Sequence, residues 1–244
     1  MSRLIVLQHL EREGPGLFAK IAEERGMNLF VFRLDKGESL PKLNKGDLLL
    51  VLGGPMGVKD INNLKFPWLS EELDLIKDSL NRGIGIIGIC LGAQLLAHAA
   101  GGDVEVLLAE SSSKPLPEVG WDKIFFKDEW EKKLGSSFIE ASFNVLHWHG
   151  DRILLPPSAE LIASSDFCKE QFFNIGSSAF GLQFHVEIDD EMVSRWINED
   201  GEFINSALGV DAELILQKQQ KEYGKKTLQR RLFFVRRLFD MVDF

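Results

Sequence analysis

The chain is short of cysteine, of positive charge and of uninterrupted apolar sequence, and each shortage removes a class of protein. Only two cysteines occur, Cys90 and Cys168. Two cannot build a disulfide framework or complete a cysteine-rich zinc site, so no metal centre is expected. Free thiols suit a reducing compartment, and the location expected is cytoplasmic. Lys and Arg number 28 against 37 Asp and Glu, a formal charge of −9 over 244 residues. Nucleic acid and anionic membranes are recognised by basic patches, so neither is an expected partner, whereas a small molecule or another protein is. The apolar run within Met1–Gln8 is too short for a signal peptide, and charges return at Glu11, Arg12 and Glu13. Ile84–Ala100 comes nearest to a membrane span, but it is short, carries Gln94 and His98, and is broken by Gly85, Gly88 and Gly92. No GxxxxGK[ST] phosphate loop, internal repeat or low-complexity segment occurs.

Forty-five per cent of the residues are hydrophobic, enough for the core of one domain over residues 1–244. Short apolar runs at Leu4–Leu7, Leu29–Phe32, Leu48–Leu52 and Ile84–Ile89 predict strands. Their near-continuous apolar character predicts that they are buried and central. Between them, Gly16–Arg25, Leu69–Asn81 and Leu91–Ala100 predict helices, so the first half alternates strand and helix as in a parallel sheet covered on both faces. The middle, about residues 105–135, is less regular; Ser111–Pro117 must be loop, and further antiparallel strands are expected after it. Gly181–Ile188 predicts another buried strand, followed by a helix over Asp190–Asn198. The tail, about 211–242, repeats Leu214, Leu216, Leu228, Leu232, Val235 and Leu238 at helical spacing, so it reads as a C-terminal extension of one or two long helices packed on the body.

Three segments carry candidate chemistry. Gly88-Ile89-Cys90-Leu91-Gly92 lies where a buried strand meets a helix. Glycines two residues either side of a nucleophile let strand and helix approach closely at a sharp turn, and the helix N-terminus favours a thiolate. On this segment alone, a small buried cysteine under a helix is an equal reading. In Gly181-Leu182-Gln183-Phe184-His185-Val186-Glu187, period-two alternation puts His185 and Glu187 on one face, where a carboxylate can orient an imidazole that moves protons. Gly53-Gly54-Pro55-Met56-Gly57-Val58 follows a buried strand, and such a loop exposes backbone N–H groups at the crevice where open α/β sheets bind ligands.

Taken in order, GGPMGV, GICLGAQ, HWHGD and GLQFHVE resemble class I glutamine amidotransferases, most closely stand-alone proteins related to the glutaminase domain of GMP synthetase. The resemblance covers Leu4 to about Trp196. It implies a flavodoxin-like three-layer α/β/α sandwich with a mostly parallel central sheet. It also implies a Cys90, His185 and Glu187 triad, an oxyanion site at the N–H groups of Gly54 and Leu91, and substrate contacts from Gln94, His149 and Asp151. Gln94 lies four residues after Cys90, one helical turn along. The implied reaction is hydrolysis of the γ-amide of L-glutamine or a γ-glutamyl compound through a thioester, with no cofactor and with a partner in the form of a separate synthetase. A self-sufficient γ-glutamyl peptidase and a non-enzymatic binding module on the same fold remain as alternatives. The chain departs from the family pattern at Val186, where proline is usual, in its serines before Glu118, and at Lys169 and Glu170 beside Cys168, a cysteine expected to be structural.

Overall fold

The computed structural model describes residues 2–109, 112–135 and 142–242. Its strands are β1 (Arg3–Gln8), β2 (Asn28–Arg33), β3 (Asp47–Val51), β4 (Gly85–Ile89), β5 (Asp103–Val106), β6 (Glu118–Phe126), β7 (Ser142–His149), β8 (Asp151–Leu154), β9 (Ala159–Ser164), β10 (Phe172–Ile175) and β11 (Ala179–Leu182). Its α-helices are α1 (Gly16–Glu24), α2 (Trp68–Asn81), α3 (Leu91–Ala99), α4 (Asp128–Leu134), α5 (Asp190–Glu199), α6 (Gly201–Leu208) and α7 (Ala212–Met241). Nine strands form one sheet in the order β2-β1-β3-β4-β11-β10-β9-β6-β7, and β5 pairs with β8. The first five are parallel. The sheet then continues antiparallel, as expected for the second half of the chain.

Burial follows the residue pattern. β3 (Asp-Leu-Leu-Leu-Val) and β4 (Gly-Ile-Ile-Gly-Ile) are buried at every position, because helices cover both faces of the parallel block. Leu48 and Leu50 face a core shared with Phe18 and Ile21 of α1 and with Leu232, Val235 and Leu238 of α7. Leu49 and Val51, one position out of phase, face Leu69 and Ile76 of α2 and Leu95 and Leu96 of α3. The two faces are thus fixed by strand periodicity, and each fully buried leucine contributes roughly 2 kcal/mol. A third cluster joins Trp121, Leu146 and Trp148 to Val193 and Trp196 of α5, Ile204 of α6 and Leu216 of α7. It builds a wall beside the carboxyl ends of the strands.

Contrary to expectation, β2 is an edge strand that leaves Leu29 42%, Phe30 44% and Val31 36% exposed, because it pairs only with β1. The strand expected over Gly181–Ile188 stops at Leu182. Its neighbour β4 ends at Ile89, and the Cys90 N–H takes the Leu182 carbonyl, so the ladder ends there. The alternation nevertheless persists, with Leu182, Phe184 and Val186 fully buried in the core and His185 bridged to Leu146. The irregular middle contains β6, nine residues long, which reads poorly as a strand because Gly120 has φ of 107° and Asp122 and Lys123 are exposed. Of the Ser-Pro segment, Ser111 lies outside the described residues, and Pro115 makes an isolated bridge to Leu108. The tail is one 30-residue helix, preceded by the unforeseen α6. Among the described residues no helix is long and apolar enough to cross a membrane.

Candidate active site

Cys90 occupies the turn between β4 and α3 with φ of 51° and ψ of −104°. Left-handed backbone at a non-glycine residue costs on the order of 1–3 kcal/mol and persists only where its surroundings hold it. They do so here. The Cys90 N–H donates to the Leu182 carbonyl at 2.7 Å, and the Cys90 carbonyl accepts from the Gln94 N–H at 3.0 Å. A Cβ on Gly88 would collide with the Gly92 backbone, and one on Gly92 with the Val51 carbonyl. Both glycines are therefore required by close approach, as the motif implied. Gln183, which the motif reading passed over, donates from Nε2 to Cys90 Sγ at 3.6 Å and accepts from Gln94 Nε2 at 3.3 Å.

His185 is fixed on three sides. Its backbone N–H donates to the Leu146 carbonyl at 2.8 Å, Trp196 meets its ring edge-on with centroids 4.8 Å apart, and its Nδ1 is 2.7 Å from Glu187 Oε1. Burial alone would lower the His185 pKa. The Glu187 charge and a side-chain hydrogen bond with Cys90 outweigh it and hold the imidazole well above its ordinary value. Behind this pair, the Glu187 carbonyl accepts from the Leu17 N–H at 2.9 Å. Arg231 of α7 donates to the Val186 and Ile188 carbonyls at 3.2 and 2.5 Å. The C-terminal helix thus supports the segment that carries the imidazole and its carboxylate.

The glycine loop after β3 has its own support. His9, buried, donates from Nδ1 to the Gly53 carbonyl at 2.9 Å and meets Glu72 of α2 through Nε2 at 2.8 Å. Burial works against its charge, but Glu72 outweighs this and raises the His9 pKa. Both ring nitrogens face acceptors, which fits an imidazolium fixing the loop. Gly54 is packed so closely that a Cβ would stand 2.7 Å from the Met56 sulfur and 3.1 Å from Leu91 Cδ2.

These pieces surround a cavity of about 290 Å³ lined by Cys90, His185, Gly54, Leu91, Gln94, His149 and Asp151, so the expected site residues converge; Glu187 stands behind His185. Two connected groups complete the walls. Asp151 and His149 lie near Met56 and Gly57, with His149 Nδ1 donating to the Asp151 carbonyl at 2.9 Å. Beyond His185 stand Trp196, Trp148 and Phe203 in ring contact, with Arg12 bound to Asp200 at 2.6 Å and Glu13 beside it.

Glu118, His147 and His149 bring one ligand atom each to within 4.8 Å of one another, a donor set of the kind that binds divalent metals. The Glu118 carboxylate is already engaged by Ser165 Oγ at 2.6 Å, Gln171 Nε2 at 2.6 Å and His149 Nε2 at 3.0 Å. It serves as the anchor of His149 under the cavity. His147 is buried, and burial lowers its pKa to about 4. Burial likewise pushes the Cys168 thiol up to about 12, which makes it unreactive at neutral pH. Glu170, one of the departures, accepts from Arg152 at 2.8 Å, so this acid is part of an ion pair.

The class I glutamine amidotransferase model matches residues 17–193, and the chain belongs to that family. It is 29% identical over 210 residues to YfeJ, a glutamine amidotransferase-like protein of Salmonella typhimurium, covering 85% of this chain and 84% of that one. It is 33% identical to a glutamine-hydrolyzing GMP synthase chain of Sulfolobus acidocaldarius, over 70% of this chain and 82% of that one. It is 28% identical to gamma-glutamyl peptidase 3 of Arabidopsis thaliana, over 72% and 70%. A glutamine amidotransferase structure from Thermotoga maritima superimposes with a TM-score of 0.79 at 30% identity, covering 97% of this chain and 98% of that one.

Proposed function

We propose that the protein hydrolyses the γ-amide of glutamine or of a γ-glutamyl compound, with Cys90 as nucleophile, His185 as acid and base, and Glu187 as the group that orients and charges the imidazole. The observation that carries this reading is the placement of Cys90 at a strained strand-to-helix turn, in one cavity with an imidazole whose Nδ1 is 2.7 Å from a buried carboxylate. The thiolate attacks the γ-carbonyl carbon, and the oxygen, now negative, is received by the Gly54 and Leu91 N–H groups. Each such donor is worth about 3 kcal/mol of barrier. His185 gives its proton to the departing nitrogen, the C–N bond breaks, and a γ-glutamyl thioester remains. The same histidine then takes a proton from water, which attacks the thioester and releases glutamate and the thiol. Gln94, His149 and Asp151 hold the glutamyl part. Gln183 positions the sulfur. No metal or organic cofactor enters this scheme.

In the first reading the ammonia passes to a separate synthetase, which the likeness to the Sulfolobus GMP synthase chain supports. A second reading, a self-sufficient γ-glutamyl hydrolase, is favoured by one observation. The cavity extends past His185 along Trp148, Trp196 and Phe203, room that ammonia as leaving group does not need. Ammonia and glutamate release by wild type and Cys90→Ala, with glutamine and a panel of γ-glutamyl amides, tests both. Cys90-dependent turnover is expected. Amides above glutamine in kcat/KM select the second reading, stimulation of glutamine turnover by a synthetase selects the first, and turnover surviving in Cys90→Ala refutes both.

A further inference from the structure

The Glu13 carboxyl is an ionisable group lining the cavity that amide hydrolysis does not use. The segment after β1 carries it over Gly53. A Cβ placed on Gly53 would stand 2.5 Å from Glu13 Oε2, 3.3 Å from His185 Cε1 and 3.6 Å from Cys90 Cβ, so the carboxylate neighbours both imidazole and nucleophile. Charges act on it from His185, Arg12, Glu187 and His9, yet among the described residues no side chain hydrogen-bonds to it or forms an ion pair with it. Arg12, next to it in sequence, is held by Asp200 at 2.6 Å and Glu199 at 3.3 Å. Burial pushes the Glu13 carboxyl above its ordinary range, so its ionised form gains from any cation brought beside it.

His185 has to face the departing nitrogen in order to protonate it. Substituents on that nitrogen therefore pass His185 and run along Trp196, Trp148 and Phe203, which line the same cavity; with Gln94 and Asp151 holding the glutamyl part, as proposed above, its α-ammonium falls at the opposite end of the acyl chain. On the leaving-group side Arg12 is paired with Asp200 and Glu199, and among the described residues Glu13 has no ion-pair partner.

We propose that Glu13 makes the leaving-group side selective for amides whose departing amine carries a second, cationic nitrogen, an inference that rests on the γ-glutamyl amide hydrolysis proposed above. A leaving group that ends in a carboxylate, as a peptide does, meets repulsion at the same place.

Three γ-glutamyl amides of nearly equal length test this: those of ethylenediamine, propylamine and β-alanine, whose far ends are positive, neutral and negative. In the wild type, kcat/KM should be about tenfold higher for the ethylenediamine amide than for the propylamide, and lowest for the β-alanine amide. Glu13→Gln should bring the first ratio close to one, and Glu13→Asp should restore part of it. A variant that misfolds or mispositions Cys90 slows all three alike and does not move the ratio. The same ratio in Glu13→Gln as in the wild type, or a wild-type preference for the neutral or anionic amide, overturns the proposal. If the wild type hydrolyses neither these amides nor glutamine, it is the hydrolytic reading that has failed. Calorimetric binding of the ethylenediamine amide and the propylamide to Cys90→Ala, with and without Glu13→Gln, then decides on Glu13: the cationic ligand should bind more tightly only while Glu13 is present, and equal affinities refute its role.

Discussion

Val186 donates its backbone N–H to Glu187 Oε2 at 2.9 Å, while Oε1 of the same carboxylate is 2.7 Å from His185 Nδ1. The acid that orients the imidazole is thus held at both oxygens. Proline, usual at this position in the family, has no N–H to give. Val186→Pro should lower stability by about 1.5–3 kcal/mol, the worth of a hydrogen bond to a charged group. It should lower kcat more than it raises KM, because Glu187 does not line the cavity. Urea unfolding and steady-state kinetics check this; unchanged stability would show that the Val186 N–H contributes nothing.

Arg231 supports the same segment from the opposite side. It is 2% exposed and donates to the carbonyls of Val186, Ile188 and Gly224. Burial lowers its pKa to about 10, which leaves it charged at neutral pH. Arg231→Met keeps the apolar stem and leaves three carbonyls without this donor, so a loss of about 3 kcal/mol or more is expected, together with reduced turnover. Arg236 on the same helix pairs with Glu24 at the surface, and Arg236→Met should change stability by less than about 1 kcal/mol. Equal effects of the two substitutions in urea would contradict this account of the C-terminal helix.

Acid should destabilise the fold through the cluster beneath the cavity. Folded His147 resists protonation down to about pH 4, whereas the unfolded chain takes up that proton near pH 6.5. The unfolded state therefore binds more protons through this window, and stability falls as pH falls, by about 3 kcal/mol at most. Glu118, its pKa lowered by His149 and His147 despite burial, acts in the same direction: its contribution is present above the unfolded carboxyl pKa and is lost as pH drops through the folded one. His9 works at the other end of the scale, since its raised pKa gives stability that is complete below the ordinary histidine value and is lost as pH rises through the folded one. His147→Asn should flatten the acid limb of stability measured against pH, and an unchanged slope would contradict the assignment.

How much of this could be read from residues depends on whether the feature is local. The strand-to-helix turn at Cys90 between Gly88 and Gly92, and the buried runs of β3 and β4, are written in adjacent positions, and the structure has both. Local pattern could not show that β2 lies at an edge, because its apolar run has the same composition as a central strand and only the sheet order exposes it. His185 and Glu187 were placed on one face by strand periodicity. The face is right although the ladder ends at Leu182, because Phe184 and Val186 still bury into the core. The supports were invisible for a different reason. His9 finds Glu72 on α2, and Arg231 finds the Val186 and Ile188 carbonyls, across stretches of chain that carry no shared signature. A lone buried histidine or arginine has no sequence pattern until its partner is folded beside it. Glu13 could have been noticed as an acid following the first strand at the carboxyl edge of a parallel sheet, but nothing local tied it to Cys90.

The covalent step is the centre of the functional reading, and intact-mass spectrometry of a rapidly quenched reaction with glutamine measures it directly. The wild type should gain the mass of one glutamyl residue, located by peptide mapping on the segment that contains Cys90 and lost again as turnover proceeds, with no adduct in Cys90→Ala. An adduct on another residue, or glutamate release by Cys90→Ala at the wild-type rate, would contradict it.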